Sequence, residues 1–237
     1  MADIREQVGN LFASPTQTLV NTVNTMGVMG RGIALEFRFR FPAMFAEYER
    51  QCQAGRLQIG DLLVWKASTP WVVNFPTKTD WKLPSRYEYV EAGLRRFAAI
   101  YAAEQITSVA FPPLGASLGG LDWDRVRDLM YRHLSPLANL SVTIIRYDER
   151  AGDRWFDLLV EETRGWTGSD FNQTLGLSKP QAALVAEALS SGALCQMAQL
   201  QSIKGLGEKS LERLYGFVRS RLEGGPAAST GLFDQRD

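Results

Sequence analysis

Residues 18–37 read TLVNTVNTMGVMGRGIALEF, and the fold is decided there. Thr18–Val23 is apolar and β-branched, the composition of a short buried strand. Gly27, Gly30 and Gly32 follow at once, and the pattern then turns helical over Gly32–Phe39. Glycines let a backbone approach a ligand closely, and a helix start offers free N–H groups and the positive end of its dipole. That combination suits a diphosphate. No Gly-Lys-Ser/Thr follows, so this is not a Walker loop, and the spacing is not the GxGxxG of dinucleotide folds. Phe111–Trp123, FPPLGASLGGLDW, repeats the arrangement: strand Ser108–Phe111, then Gly115, Gly119 and Gly120, then a helix at Trp123. One glycine loop is weak, because glycines also build plain turns. Two, each after a strand and each opening a helix, point to ligand binding.

Outward from these loops the chain alternates. Further strands are expected at Gln7–Phe12, Leu62–Lys66, Trp71–Phe75 and Val142–Tyr147, and helices at Pro42–Ala54, Tyr87–Gln105, Trp123–Leu137 and Asp153–Thr163. In Tyr87–Gln105, Val90, Leu94, Phe97, Ala98 and Tyr101 recur at three and four, one helix face. Alternating strands and helices imply a mostly parallel or mixed sheet with helices on its faces, and ligands then sit beyond the carboxyl ends of strands. Gly165–Gln173, GWTGSDFNQ, reads as a linker. Helices are expected beyond it at Lys179–Leu189, Leu194–Gln201 and Glu208–Leu222. The expected organisation is an α/β domain over 1–160, a small all-helical domain over 172–223, and a mobile tail over 224–237.

Composition removes several mechanisms. The chain has 237 residues, with Lys+Arg 26 and Asp+Glu 26, so the net charge is zero and no polyanion-seeking character spreads over the whole protein. A Cys/His zinc site needs about four ligands, and the chain offers His133, Cys52 and Cys195, far apart. A Ser-His or Cys-His mechanism would run through His133, which reads as a packed or surface residue among Met130, Tyr131 and Leu134. No cofactor or metal is expected. Two distant cysteines form no disulfide framework, and MADIREQVGN has no apolar core of a signal segment, so a cytoplasmic protein without a membrane segment is expected. In EFRFRFPAMF, Phe37, Phe39 and Phe41 alternate with Arg38 and Arg40. This reads as core aromatics with a solvated basic edge in preference to a grip on single-stranded DNA.

Together, TLVNTVNTMGVMGRGIALEF, FPPLGASLGGLDW and NFPTKTDW (Asn74–Trp81) resemble the macrodomain family, α/β domains that bind ADP-ribose. The third string narrows the resemblance to DarG-type macrodomains, antitoxins that remove ADP-ribose from thymidine in DNA modified by a DarT-type toxin. The likeness spans about residues 1–155. It implies that Thr25, Gly27, Val28, Met29, Gly30, Gly32 and Ile33 wrap the distal ribose and diphosphate, with Asn21 and Asn24 at that ribose. It implies that Pro113, Leu114, Gly115, Ala116, Ser117, Leu118, Gly119, Gly120 and Leu121 cover the phosphates from the other side. Thr77 and Lys78 fall on the family's PTK string, and that lysine engages the anomeric carbon of the distal ribose. The acid of the G-L-x-W string falls on Asp122 and assists by proton transfer. Asn10 and Leu11 lie where macrodomains read adenine, with Asn10 in place of the usual Asp; an amide oxygen still accepts the adenine amino group.

The residues themselves allow that chemistry. Hydrolysing an N-glycosidic bond needs a cationic ribosyl centre stabilised and a nucleophile activated. An amine attacks in its neutral form, which burial or a nearby cation favours, and a carboxylate relays a proton. Asp122 equally suits a helix N-cap before Trp123. Lys82 competes with Lys78 but lies outside the matching string. The alternatives to hydrolysis are a non-catalytic ADP-ribose reader tethered to DNA and a phosphatase acting on ADP-ribose 1″-phosphate; a reader has no need of Lys78.

Near the C-terminus, Ser202–Val218, SIKGLGEKSLERLYGFV, resembles a helix-hairpin-helix. In such motifs the hairpin, here Gly205–Gly207, offers backbone N–H groups to a DNA phosphate, with Lys204, Lys209 and Arg213 nearby. From Gln201 to Arg221, Lys204, Lys209, Arg213, Arg219 and Arg221 face only Glu208 and Glu212, a local net of +3. The competing readings are a tight turn between packed helices and a toxin contact. The expected partners are ADP-ribose, ADP-ribosylated single-stranded DNA and a DarT-type toxin.

Overall fold

The computed structural model describes residues 1–224, so the expected tail lies, from 225 onward, outside the described residues. The chain divides into two compact units, Met1–Asp148 and Glu149–Asp237.

The first unit is built on a six-stranded sheet in the order β1-β6-β5-β2-β4-β3. Its strands are β1 (Asp3–Gly9), β2 (Thr18–Asn24), β3 (Leu63–Trp65), β4 (Trp71–Lys78), β5 (Ser108–Phe111) and β6 (Ser141–Tyr147). Pairings are parallel except β3 on β4, which is antiparallel. The helices are α1 (Gly32–Arg40), α2 (Pro42–Gln53), α3 (Tyr87–Ile100) and α4 (Trp123–Leu134).

Strand alternation sends neighbouring side chains to opposite faces, and each face has its own cover. Val20, Val73, Phe75 and Phe111 pack with Val90, Leu94 and Phe97 of α3 and with Val126 and Met130 of α4. Leu19, Val23, Val72 and Ala110 pack with Phe37 of α1 and with Met44 and Tyr48 of α2. Strand β2 is buried on both sides, as expected of a central parallel strand. It lies between β5 and β4, so the loops leaving β2 and β5 emerge side by side at the sheet's carboxyl edge.

Several expected bounds move. Strand β1 starts at Asp3 and stops at Gly9, and Leu11–Ala13 is a 3-10 turn instead of strand. The Asn10 side chain causes the stop, accepting the Phe12 N–H at 3.0 Å. Strand β4 runs past Phe75 to Lys78: Pro76 stays paired opposite Val23, and a register shift (a bulge) after that pair leaves Thr77 as the extra residue and brings Lys78 opposite Asn24. Helix α3 ends at Ile100, and Gln105 turns left-handed at φ 60°. Arg40, expected on a solvated edge, is buried: it is paired with Glu36 at 2.6 Å and stacked 4.3 Å from the Phe12 ring centre.

The second unit is helical: α5 (Arg154–Glu162), α6 (Gly168–Leu175), α7 (Lys179–Ser190), a 3-10 helix at Met197–Ser202 and α8 (Glu208–Leu222). Its buried residues include Phe171, Leu177, Val185, Leu200, Leu214 and Val218. The break falls before residue 160 because α5 packs on α8, with Glu162 paired to Arg221 at 3.0 Å. The expected linker Gly165–Gln173 contains α6, started by a reciprocal capping box between Thr167 and Asp170. The helix expected at Leu194–Gln201 is the later, tighter 3-10 turn.

Candidate functional site

The first glycine loop hangs on Asn24, the last residue of β2. Its Oδ1 accepts the N–H groups of Met26 at 2.9 Å and Val28 at 3.3 Å, while its Nδ2 donates to the Val28 carbonyl at 2.6 Å. From beneath, the buried Tyr48 hydroxyl donates to the Asn24 carbonyl at 2.8 Å and meets its Oδ1 at 3.2 Å. Burial pushes the Tyr48 hydroxyl pKa far up, so it stays a neutral donor. Gly27 sits at φ +84°, with Cys52 and Glu49 pressed against the place a Cβ would take. Burial also raises the Cys52 thiol pKa, so that residue packs under the loop as an apolar group.

The second loop is closed by its own backbone. Leu121 N–H donates to the Gly115 carbonyl at 3.0 Å and Gly120 N–H to the Ser117 carbonyl at 3.1 Å. A Cβ on Gly119 would lie 2.2 Å from the Gly115 carbonyl oxygen, so only glycine fits. The two loops meet directly. Gly32, at φ +59°, lies under Leu118, whose Cδ1 would be 2.8 Å from an added Cβ.

Lys78 joins this convergence. The bulge sets Lys78 opposite Asn24 in the ladder, and its half-buried side chain donates from Nζ to the Leu118 carbonyl at 2.8 Å. Thr25 Oγ1 donates to the Thr79 carbonyl at 3.0 Å, tying the first loop to the residue after Lys78. The amine at this strand end is thus bonded to the second loop, and the first loop is tied to the residue that follows it.

The remaining expected residues take different places. Asn21 has no exposed surface; it donates to Asn74 Oδ1 at 2.9 Å and to Met29 Sδ at 3.6 Å, supporting the first loop from below. Leu11, Met29 and Leu114 spend their side chains in the core, leaving only backbone groups for a ligand. Thr77 is buried, Ile33, Pro113, Ala116 and Leu121 are half-buried, and Val28, Gly30, Ser117 and Gly120 are exposed. Asn10 is buried and caps the turn after β1. Asp122 is exposed and caps α4, its Oδ1 accepting the Arg125 N–H at 3.0 Å, while its own N–H donates to the Tyr87 hydroxyl at 3.1 Å. No hydrogen bond among the described residues joins it to Lys78. Lys82 is exposed, over Trp81.

Tyr48 and Ser85 also support the loops, and neither is marked in the sequence as part of the site. Tyr48 shares a helix face with Met44 and Cys52 at spacing four, which reads as core. Ser85 donates its N–H to the Gly119 carbonyl at 3.0 Å and carries no sequence signal.

In the second unit the hairpin presents Lys204, Gly205, Gly207 and Lys209 to solvent, while Leu206 is buried as its anchor. Gly205 is left-handed at φ +102°, with Leu184 of α7 at 3.0 Å from the position of a Cβ. Arg213, expected near DNA, donates to the Gly176 carbonyl, and Arg221 is paired with Glu162. Among the described residues no group of three or more His, Cys, Asp or Glu is placed to hold a metal ion, and no helix is long and apolar enough to cross a membrane.

The chain is similar to known proteins. The Macro domain family model matches residues 20–130. A DNA ADP-ribosyl glycohydrolase of Thermus aquaticus is 42% identical over 140 residues, 57% of this chain and 39% of that protein. The match spans about two fifths of that relative's length. The macrodomain of Mycobacterium tuberculosis DarG is 39% identical with a TM-score of 0.59, covering 61% of this chain and 98% of that one. Thermosipho africanus DarTG in complex with ADP-ribose is 34% identical with a TM-score of 0.58, covering 62% of this chain and 42% of that one. With both glycine loops at the strand ends and near-complete coverage of a DarG macrodomain at this identity, the chain belongs to the macrodomain family, in its DarG branch.

Proposed function

We propose that the Met1–Asp148 unit is a DNA ADP-ribosylglycohydrolase, which removes ADP-ribose from thymidine in single-stranded DNA and so counters a DarT-type toxin in the cytoplasm. The observation that carries this reading is the position of Lys78, between two glycine loops and bonded to one of them. A protein that only binds ADP-ribose has no use for an amine there. The name of the Thermus aquaticus relative and the ADP-ribose complex of Thermosipho africanus DarTG support the substrate and the partner.

In this reading the backbone N–H groups of both loops hold the diphosphate, and the start of α1 adds its dipole. Asn24 fixes the first loop beside the distal ribose. Leaving the Leu118 carbonyl, the Lys78 amine engages the anomeric carbon as the bond to the thymine nitrogen weakens. Hydrolysis adds water across that bond: the hydroxyl goes to the anomeric carbon and the proton to thymine. Asp122, at the end of the second loop, is the group proposed to relay that proton. No step needs a metal or cofactor. The second unit contributes DNA contact through Lys204, Gly205, Gly207 and Lys209, which are all exposed on one hairpin.

The test is product release. An oligonucleotide carrying ADP-ribosyl thymidine should yield free ADP-ribose and unmodified thymidine. An intact adduct with ADP-ribose still bound would indicate a reader, and phosphate release from ADP-ribose 1″-phosphate alone would indicate a phosphatase.

A further inference from the structure

We infer that the connection between β4 and α3, Thr79–Arg86, is the surface that holds the DNA strand flanking the modified thymidine, with Trp81 as its stacking platform. The inference rests on the hydrolase reading, and it names what that reading leaves open: how the site grips the polymer.

The connection starts immediately after Lys78 and is fastened at both ends to the site. Its first residue, Thr79, accepts from Thr25 of the first loop at 3.0 Å. Near its far end, Ser85 donates to Gly119 of the second loop at 3.0 Å. Between these anchors Asp80 stiffens the turn, its Oδ1 accepting the Lys82 N–H at 2.9 Å and its carbonyl the Leu83 N–H at 3.1 Å. In the hydrolase reading the two glycine loops hold ADP-ribose, and this connection, bonded to both loops, is the side they leave for what is attached to the distal ribose.

Its surface has the chemistry of single-stranded DNA recognition. Trp81 is 50% exposed, and Lys82 stands over it with Nζ 5.1 Å from the ring centre. Arg86 is exposed as well, 5.6 Å from the Tyr89 ring centre. Asp80 is the acid within the segment, and its carboxylate is turned onto backbone. An indole takes any base on the face that Lys82 leaves open, and the cations of the segment, Lys82 and Arg86, suit the phosphates of a strand. An acidic peptide would satisfy the cations but leave the indole without a planar partner.

The experiment compares two substrates of the full chain. One is an oligonucleotide carrying ADP-ribosyl thymidine, the other ADP-ribosyl thymidine as a mononucleoside. Base–aromatic stacking is worth about 1–3 kcal/mol per base, so Trp81→Ala should raise KM for the oligonucleotide about 5- to 150-fold. It should leave KM for the mononucleoside and the Kd for free ADP-ribose unchanged, and Trp81→Phe should restore most of the loss. An unaltered oligonucleotide KM, or equal losses on both substrates, would overturn the inference while the hydrolase reading stands. Failure of the unsubstituted protein to release ADP-ribose from either substrate would overturn that reading and the inference with it.

Discussion

At the residue scale the proposed site depends on one amine and on what keeps the loops in place beside it. Lys78 is set by a strand bulge opposite Asn24, and Asn24 is set by Tyr48. Removing the Tyr48 hydroxyl leaves the Asn24 carbonyl and side-chain oxygen short of a buried donor. Tyr48→Phe is expected to cost about 1 kcal/mol of stability and to weaken ADP-ribose binding measured by calorimetry; unchanged binding would remove Tyr48 from the site's support. That Lys78 and both glycine loops lie together at the strand ends is legible in the sequence, because lysine in a motif string and glycines after strands carry a chemical signal; the role of Lys78 is the proposal. Tyr48 is not legible there, because its apolar spacing with Met44 and Cys52 is also that of a core residue. Asn21 shows the converse: its motif position implies ribose contact, but its register pairs it with Asn74 inside the sheet.

At the element scale, most of the first unit follows from hydrophobic pattern. Strand β5 occupies its expected bounds because Val109–Phe111 is an apolar, buried run behind a half-buried Ser108. Edge strand β1 does not: DIREQVG is largely exposed and polar, so no alternation marks it. Helix α6 was read as linker because Gly168, Ser169, Asp170 and Asn172 are poor helix formers. Its one readable signal was Thr167 followed three residues later by Asp170, a capping box. The Thr167 backbone and side-chain hydrogen bonds hold the Asp170 carboxyl pKa below its ordinary value of 3.8. A lowered folded-state pKa stabilises the fold above the unfolded value, and the contribution disappears as pH falls through the folded value. Asp170→Asn should therefore lower the unfolding temperature of the chain at pH 7, and the difference should vanish as pH drops below 3.8. A difference independent of pH would assign the effect to shape instead of charge. In the hairpin, Lys204→Ala with Lys209→Ala is expected to weaken binding to unmodified single-stranded DNA and to reduce the salt slope by about one to two units. An unchanged slope would place the DNA contact elsewhere.

At the scale of the whole molecule, composition set the frame within which the two units are read. One histidine and two cysteines leave little for metal or imidazole chemistry, and the proposed mechanism uses a lysine and backbone N–H groups. Zero net charge restricts any polyanion contact to local surfaces. The structure narrows these further, since Arg213 and Arg221 bond within the second unit and Lys204 and Lys209 are left exposed. The unit boundary at Asp148 was not legible because α5 follows the last strand without a break in pattern; its packing on α8 decides where it belongs. The central claim is that Lys78 performs chemistry in a site that binds without it. The direct measurement is turnover of ADP-ribosyl thymidine in an oligonucleotide by Lys78→Ala, alongside the Kd of that variant for ADP-ribose. Release should fall by at least about 100-fold with the Kd changed by less than about threefold. Full release by Lys78→Ala would contradict the account.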